Sequence, residues 1–188
     1  MGSRTYFRTV DVALISVFCA LWPALNLTLG PLGFALFKLP IFCDFSVFFV
    51  LLLATWASGK FGTASIVGIT GSAVVYFLRA SPHIIGFAVS AVLFDVLMSA
   101  NLHRIRGRIY DLSMAGLVTA VSAYFAGVVI GVFLMGEPLN WTTLSWAMSY
   151  WGPWHLAGGL ISVVVTLPII TILEKADVRR IINVQQAA

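Results

Sequence analysis

The chain has 188 residues, 60% hydrophobic and only 10% charged, with a formal net charge of +4. A soluble domain carries about 25% charged residues, and seven acids and eleven bases cannot coat a globule of this length. The composition therefore excludes an ordinary soluble enzyme, a disordered chain and a nucleic-acid binder, because the bases stand between long apolar runs instead of forming one face.

The apolar runs, about 17–25 residues each, are long enough to cross roughly 30 Å of hydrocarbon as helices. They do not alternate with period two, so a transmembrane barrel is not expected. The first predicted helix covers 9–27. It is too long for a signal peptide and is followed by no small-x-small cleavage site, so it is expected to persist in the mature protein. Ser16, Ala20 and Ala24 recur every four residues along it, with Ala13 on the adjoining turn. Such a small-residue stripe lets another helix approach closely, either within this chain or from a partner subunit. Pro23 is expected to kink or end the helix.

The segment 29–43 is apolar and broken by Gly30, Pro31, Gly33 and Pro40. It is expected to fold back over the bundle as a lid or re-entrant loop. Lys38 within it either reaches for headgroups or contacts a ligand. Cys19 lies in the first span and Cys43 beyond its far end, so no disulfide is expected.

The second helix is predicted over 44–58 and the third over 63–78, joined by Gly59-Lys60-Phe61-Gly62. Asp44 opens the second helix, where a carboxylate suits the positive end of the dipole and is also placed to meet a ligand. Arg79 ends the third helix and His83 opens the fourth, predicted over 83–100; both are candidate ligand contacts, and Arg79 also has the length to snorkel. Asp95 and Asp11 are expected to pair with Arg104 and Arg8. The fifth helix is predicted over 112–135 and carries Gly127-x-x-x-Gly131.

Glu137 and Asn140 follow as possible polar contacts, and Trp141 and Trp146 as members of an interfacial belt. The sixth helix is predicted over 150–173. Trp151, Trp154 and His155 fall at i, i+3 and i+4, on one face, with Gly158 and Gly159 expected to leave space below. An aromatic wall over a gap suits a flat heterocycle.

Nine bases (Arg4, Arg8, Lys60, Arg104, Arg106, Arg108, Lys175, Arg179 and Arg180) fall on one side of this layout, and Lys38 and Arg79 on the other. The positive-inside rule then makes the nine-base side cytoplasmic. The expected fold class is an all-α membrane protein, a single integral membrane domain over 1–188 forming a six-transmembrane-helix bundle with cytoplasmic N- and C-termini.

Three stretches carry a family resemblance. They are the opening helix from Ala13 to Ala24 with its Ala20-x-x-x-Ala24 ending, the apolar first loop leading into Pro40-Ile-Phe-Cys-Asp44-Phe-Ser46, and the hairpin from Leu51 through Gly59-Lys-Phe-Gly62 to Gly68-Ile-Thr-Gly71-Ser72. In these the chain resembles the substrate-binding S component of an energy-coupling-factor (ECF) vitamin transporter. The resemblance covers essentially the whole chain and is clearest over 10–75. It implies capture of a vitamin-like small molecule at the outer face of the cell membrane, under the first loop. It also implies delivery inward with a transmembrane T subunit and ATPase subunits, the T subunit meeting Ala20 and Ala24, extended by Ser16.

The candidate substrate contacts are Lys38, Asp44, Arg79, His83, Trp151, Trp154 and His155. Their mix of aromatic, acidic and basic groups fits thiamine, its pyrimidine precursor, riboflavin or a pyridoxine-type compound. No cofactor is expected. No metal is expected either, since the three histidines are scattered without ligand spacing. The absence of Gly-x-x-x-x-Gly-Lys-[Ser/Thr] fits an external energy source. The competing classes are a non-transporting membrane scaffold and, less favoured, an intramembrane serine protease using Ser72 and His155. The predicted depths of those two residues disagree.

Overall fold

The six apolar segments fold as six helices in the computed structural model, which describes residues 6–135 and 138–178. They are α1 (Thr9–Phe37), α2 (Ile41–Ser58), α3 (Thr63–Arg79), α4 (Ile84–Met98, with a 3-10 turn to Asn101), α5 (Ile109–Leu134) and α6 (Trp141–Lys175). Five are long and apolar enough to cross a membrane, and α3 is a shorter apolar helix of 17 residues. No strand occurs among the described residues. The chain is a multi-pass, all-helical membrane protein.

The helices close into a ring. Helix α1 packs on α2, α2 on α6, α6 on α5, α5 on α4, α4 on α3, and α3 back on α1. In lipid this association rests on close packing more than on hydrophobic transfer. Trp22, Phe48 and Phe94 fill the interior and are fully buried. Coverage around the ring is uneven: 61% of the apolar stretch of α2 is buried against 22% for α1, so α1 stands with most of its surface outward.

The first correction concerns α1. The expected lid over 29–43 is mostly helix, and only residues 38–40 connect α1 to α2. Pro31 takes away the N–H that would bond the Leu27 carbonyl four residues earlier. The Arg79 guanidinium replaces it, donating from Nη2 to Leu27 O at 2.6 Å. A proline that reads as a breaker is thus accommodated by a donor 52 residues from the carbonyl it leaves open. On either side of it, Gly30 and Gly33 bring α1 against Cys43 and Phe42 of α2. The helix stops at Lys38, left-handed at φ 58°, whose N–H bonds Phe34 O at 3.1 Å.

The second correction concerns α6, which starts at Trp141 and not near residue 150. Asn140 caps it, its Oδ1 accepting from Thr143 N–H at 2.8 Å. The run is continuous through a π-helical turn at Ala147–Trp151, and α5 ends in another at Ile130–Leu134. The predicted hairpin between α2 and α3 forms with Gly59 at φ 62° and Gly62 at φ 89°, both left-handed.

The ring has two distinct ends. The end holding Lys60, called here the Lys60 end, also carries Arg8, Arg104, Arg106, Arg108 and Lys175, and the opposite end carries Lys38 and Arg79. Polar groups at the Lys60 end are tied together. Asp11 pairs with Lys60 and accepts from Arg8 N–H at 2.8 Å. Trp56 donates to Glu174 at 2.6 Å, joining α2 to α6. Asp95 pairs with His103 at 2.9 Å and not with Arg104, because the left-handed turn at Leu102 and His103 folds the imidazole back beneath α4.

Candidate functional site

At the opposite end, referred to as the cavity end, the helices diverge around a cavity of about 380 Å³. That size is ordinary for a small-molecule site. Its wall draws on all six helices and on the α3–α4 turn.

The two π-helical turns shape one side, with Ile130 from the first and Trp151 from the second both on the wall. Such turns re-aim side chains and recur at functional sites. The Gly127-x-x-x-Gly131 stripe is the seat for α6. A Cβ at Gly127 would lie 2.6 Å from Trp151 O and 2.8 Å from His155 Cβ, and one at Gly131 would lie 2.9 Å from Trp151 Cδ1. Only glycine lets α6 come this close and hold both rings at the cavity.

Gly158 does the same on the other side of α6. A Cβ there would meet Ile41 O at 2.5 Å and Asp44 Cβ at 2.7 Å. The expected space below Gly158 and Gly159 is therefore filled, by α2 at Gly158 and by Ala123 of α5 at Gly159. The close approach of α2 places Asp44 Oδ2 2.8 Å from His155 Nδ1. Both residues are buried. The two groups lie at ion-pair distance but not in hydrogen-bond geometry, so both Asp44 oxygens and both His155 ring nitrogens are without a hydrogen-bond partner.

His155 and Trp151 line the cavity, and neither His155 Nε2 nor Trp151 Nε1 has a hydrogen-bond partner in the structure. Buried polar atoms are nearly always satisfied in native proteins, so two unsatisfied atoms on one apolar wall are available to a bound molecule. Trp151 lies 6.0 Å from the His155 ring, and Phe87 lies 5.7 Å from the same ring. Three aromatic rings thus surround one end of the cavity.

The other predicted contacts separate. Arg79 and His83 line the cavity, His83 with Nδ1 3.2 Å from Ser81 Oγ. Asp44 stands behind His155 and not on the wall. Lys38 is exposed at the α1 cap and outside the lining. Trp154 is also outside it, 36% exposed on the outer side of α6, since helical geometry rotates it about 100° from His155. Asn140 is spent on capping α6, and Glu137 lies outside the described residues. Trp141 and Trp146 are exposed.

Sequence reasoning missed Asn26, Cys43 and Phe87. Asn26 is a buried amide in an apolar helix, and that alone was a usable signal. Cys43 and Phe87 carried no signal distinct from the surrounding apolar residues. Cys19 and Cys43 are free thiols. Among the described residues no group of three or more His, Cys, Asp or Glu could hold a metal ion. Ser72 donates to Ile84 O at 3.2 Å while His155 faces Asp44, so these two do not meet.

The stripe on α1 is elsewhere. Ser16, Ala20 and Ala24 are all exposed, along the outward face of the least covered of the five spans. Ser16 Oγ donates to its own helix at Val12 O, 2.8 Å away, which leaves that face smooth and apolar. The chain matches no protein-family model, no curated protein and no solved structure.

Proposed function

We propose that this chain is the substrate-specific membrane subunit of an ECF-type vitamin transporter. It sits in the cell membrane with both termini cytoplasmic. It holds a vitamin-like small molecule at the cavity end and delivers it inward with a T subunit and ATPases.

The observation that carries this reading is the 380 Å³ cavity with unpartnered polar atoms on Trp151 and His155 at its buried side. A scaffold protein has no use for such a cavity. The concentration of bases at the Lys60 end fits a cytoplasmic position for that end. The exposed Ser16, Ala20 and Ala24 face fits close docking of a partner helix from the T subunit.

The two surfaces lie on different parts of the bundle, so they can be tested apart. An Ala20→Trp chain is expected to keep its small molecule and to lose uptake driven by ATP in membranes that supply the T subunit and ATPases. Loss of the bound molecule together with uptake would contradict this division of the surface.

A further inference from the structure

The cavity has one permanent charge on its described wall. That charge is Arg79, and no aspartate or glutamate joins it there. Asp44 lies behind His155 and is already in contact with it. Arg79 donates to Leu27 O and makes no other hydrogen bond or ion pair among the described residues. A guanidinium has five N–H donors in a planar fork, so most of them remain uncommitted.

The position of that fork is fixed, which a snorkelling arginine does not require. Its Nη2 is pinned to the carbonyl that Pro31 leaves open. Its Nη1 lies 4.0 Å from the point where a Gly30 Cβ would stand, and Asn26 Oδ1 lies 3.9 Å from the same point. Asn26 uses its amide nitrogen on Ser46 Oγ at 3.3 Å and also lines the cavity. The cavity therefore has an aromatic side, formed by Trp151, Phe87 and His155, and a cationic rim.

We infer that the ligand is a small aromatic or heterocyclic acid, its ring against Trp151 and His155 and its carboxylate or other acidic group on Arg79. This rests on the binding reading above and narrows it. Arg79 is exposed at the cavity mouth, and an anionic group there would meet its tethered guanidinium through the charge-assisted geometry that arginine favours. A cationic ring such as that of thiamine would add a second positive charge to an uncompensated one.

The test uses the full chain in lipid nanodiscs. The small-molecule fraction of a cell extract is split by ion exchange into anionic, neutral and cationic pools, and retained compounds are read by mass spectrometry. A stoichiometric compound from the anionic pool is expected. Its affinity should fall about tenfold or more in Arg79→Gln and recover in part in Arg79→Lys.

Arg79→Gln also strips the Leu27 carbonyl of its donor, so Pro31→Ala/Arg79→Gln is the controlling variant. The alanine N–H restores the bond within α1, and this chain should melt like the parent yet bind as weakly as Arg79→Gln. A stoichiometric neutral or cationic ligand would overturn the inference and leave the binding reading standing. So would affinity restored in the double variant, which would reduce Arg79 to a cap for α1. Retention from no pool would contradict the binding reading itself, and the inference with it.

Discussion

A buried aspartate meets a histidine at each end of the bundle, and the two pairs are finished differently. At the Lys60 end, Asp95 accepts from Ser65 N–H at 2.9 Å, from Ser65 Oγ–H at 2.7 Å and from His103 at 2.9 Å. At the cavity end, Asp44 Oδ2 lies 2.8 Å from His155 Nδ1 without hydrogen-bond geometry, and both Asp44 oxygens and both His155 ring nitrogens lack a hydrogen-bond partner. The first pair knots the start of α3 to the end of α4. The second stands beside an open volume. The two pairs share their residue types and differ in how completely they are hydrogen-bonded.

Variants at the two ends should break in different ways. The largest effect is expected from Asp95→Ala, which strands the Ser65 N–H and hydroxyl and leaves the buried His103 imidazole with only the residue 95 carbonyl. A stability loss of about 3 kcal/mol is expected, read as thermal unfolding in detergent. Bound ligand should disappear only in step with unfolding. A stable Asp95→Ala chain that has lost its ligand would erase the distinction between the ends.

Gly158→Ala comes next. The added Cβ would press on the Ile41 carbonyl at 2.5 Å, a backbone atom that cannot swing aside. About 2 kcal/mol of destabilisation is expected from overpacking, with weaker ligand binding because α2 carries Asp44 away from His155. An unchanged melting temperature would show that the α2–α6 contact is looser than the structure gives.

The smallest effect on stability is expected from His155→Gln, which keeps a polar side chain near Asp44. Stability should change by less than about 1 kcal/mol, while ligand affinity falls about tenfold or more, a loss of about 1.4 kcal/mol. The reverse pattern, a large loss of stability with affinity intact, would make the cavity-end pair a structural knot like that of Asp95.

Much of the fold could be read from the chain. Length and composition alone pointed to membrane helices, and the two glycines around Lys60 and Phe61 marked the hairpin. What was hidden depended on distant partners. The 29–43 segment looked like a broken lid because Pro31 is read locally as a stop, and the donor that repairs it belongs to Arg79. Asp44 and His155 were each visible as candidates, but 111 residues separate them, and no spacing rule predicts that Gly158 draws their helices together. Trp154 was grouped with Trp151 on helical spacing, yet that face is wide enough for one of the two to look outward.

The most direct measurement is mass spectrometry of small molecules released on denaturing the purified parent chain, with His155→Gln purified in parallel. The account predicts a stoichiometric heterocyclic compound from the parent and a depleted amount from a folded His155→Gln chain. Equal amounts from both would contradict the claim that the open Asp44–His155 pair and its cavity form the binding site.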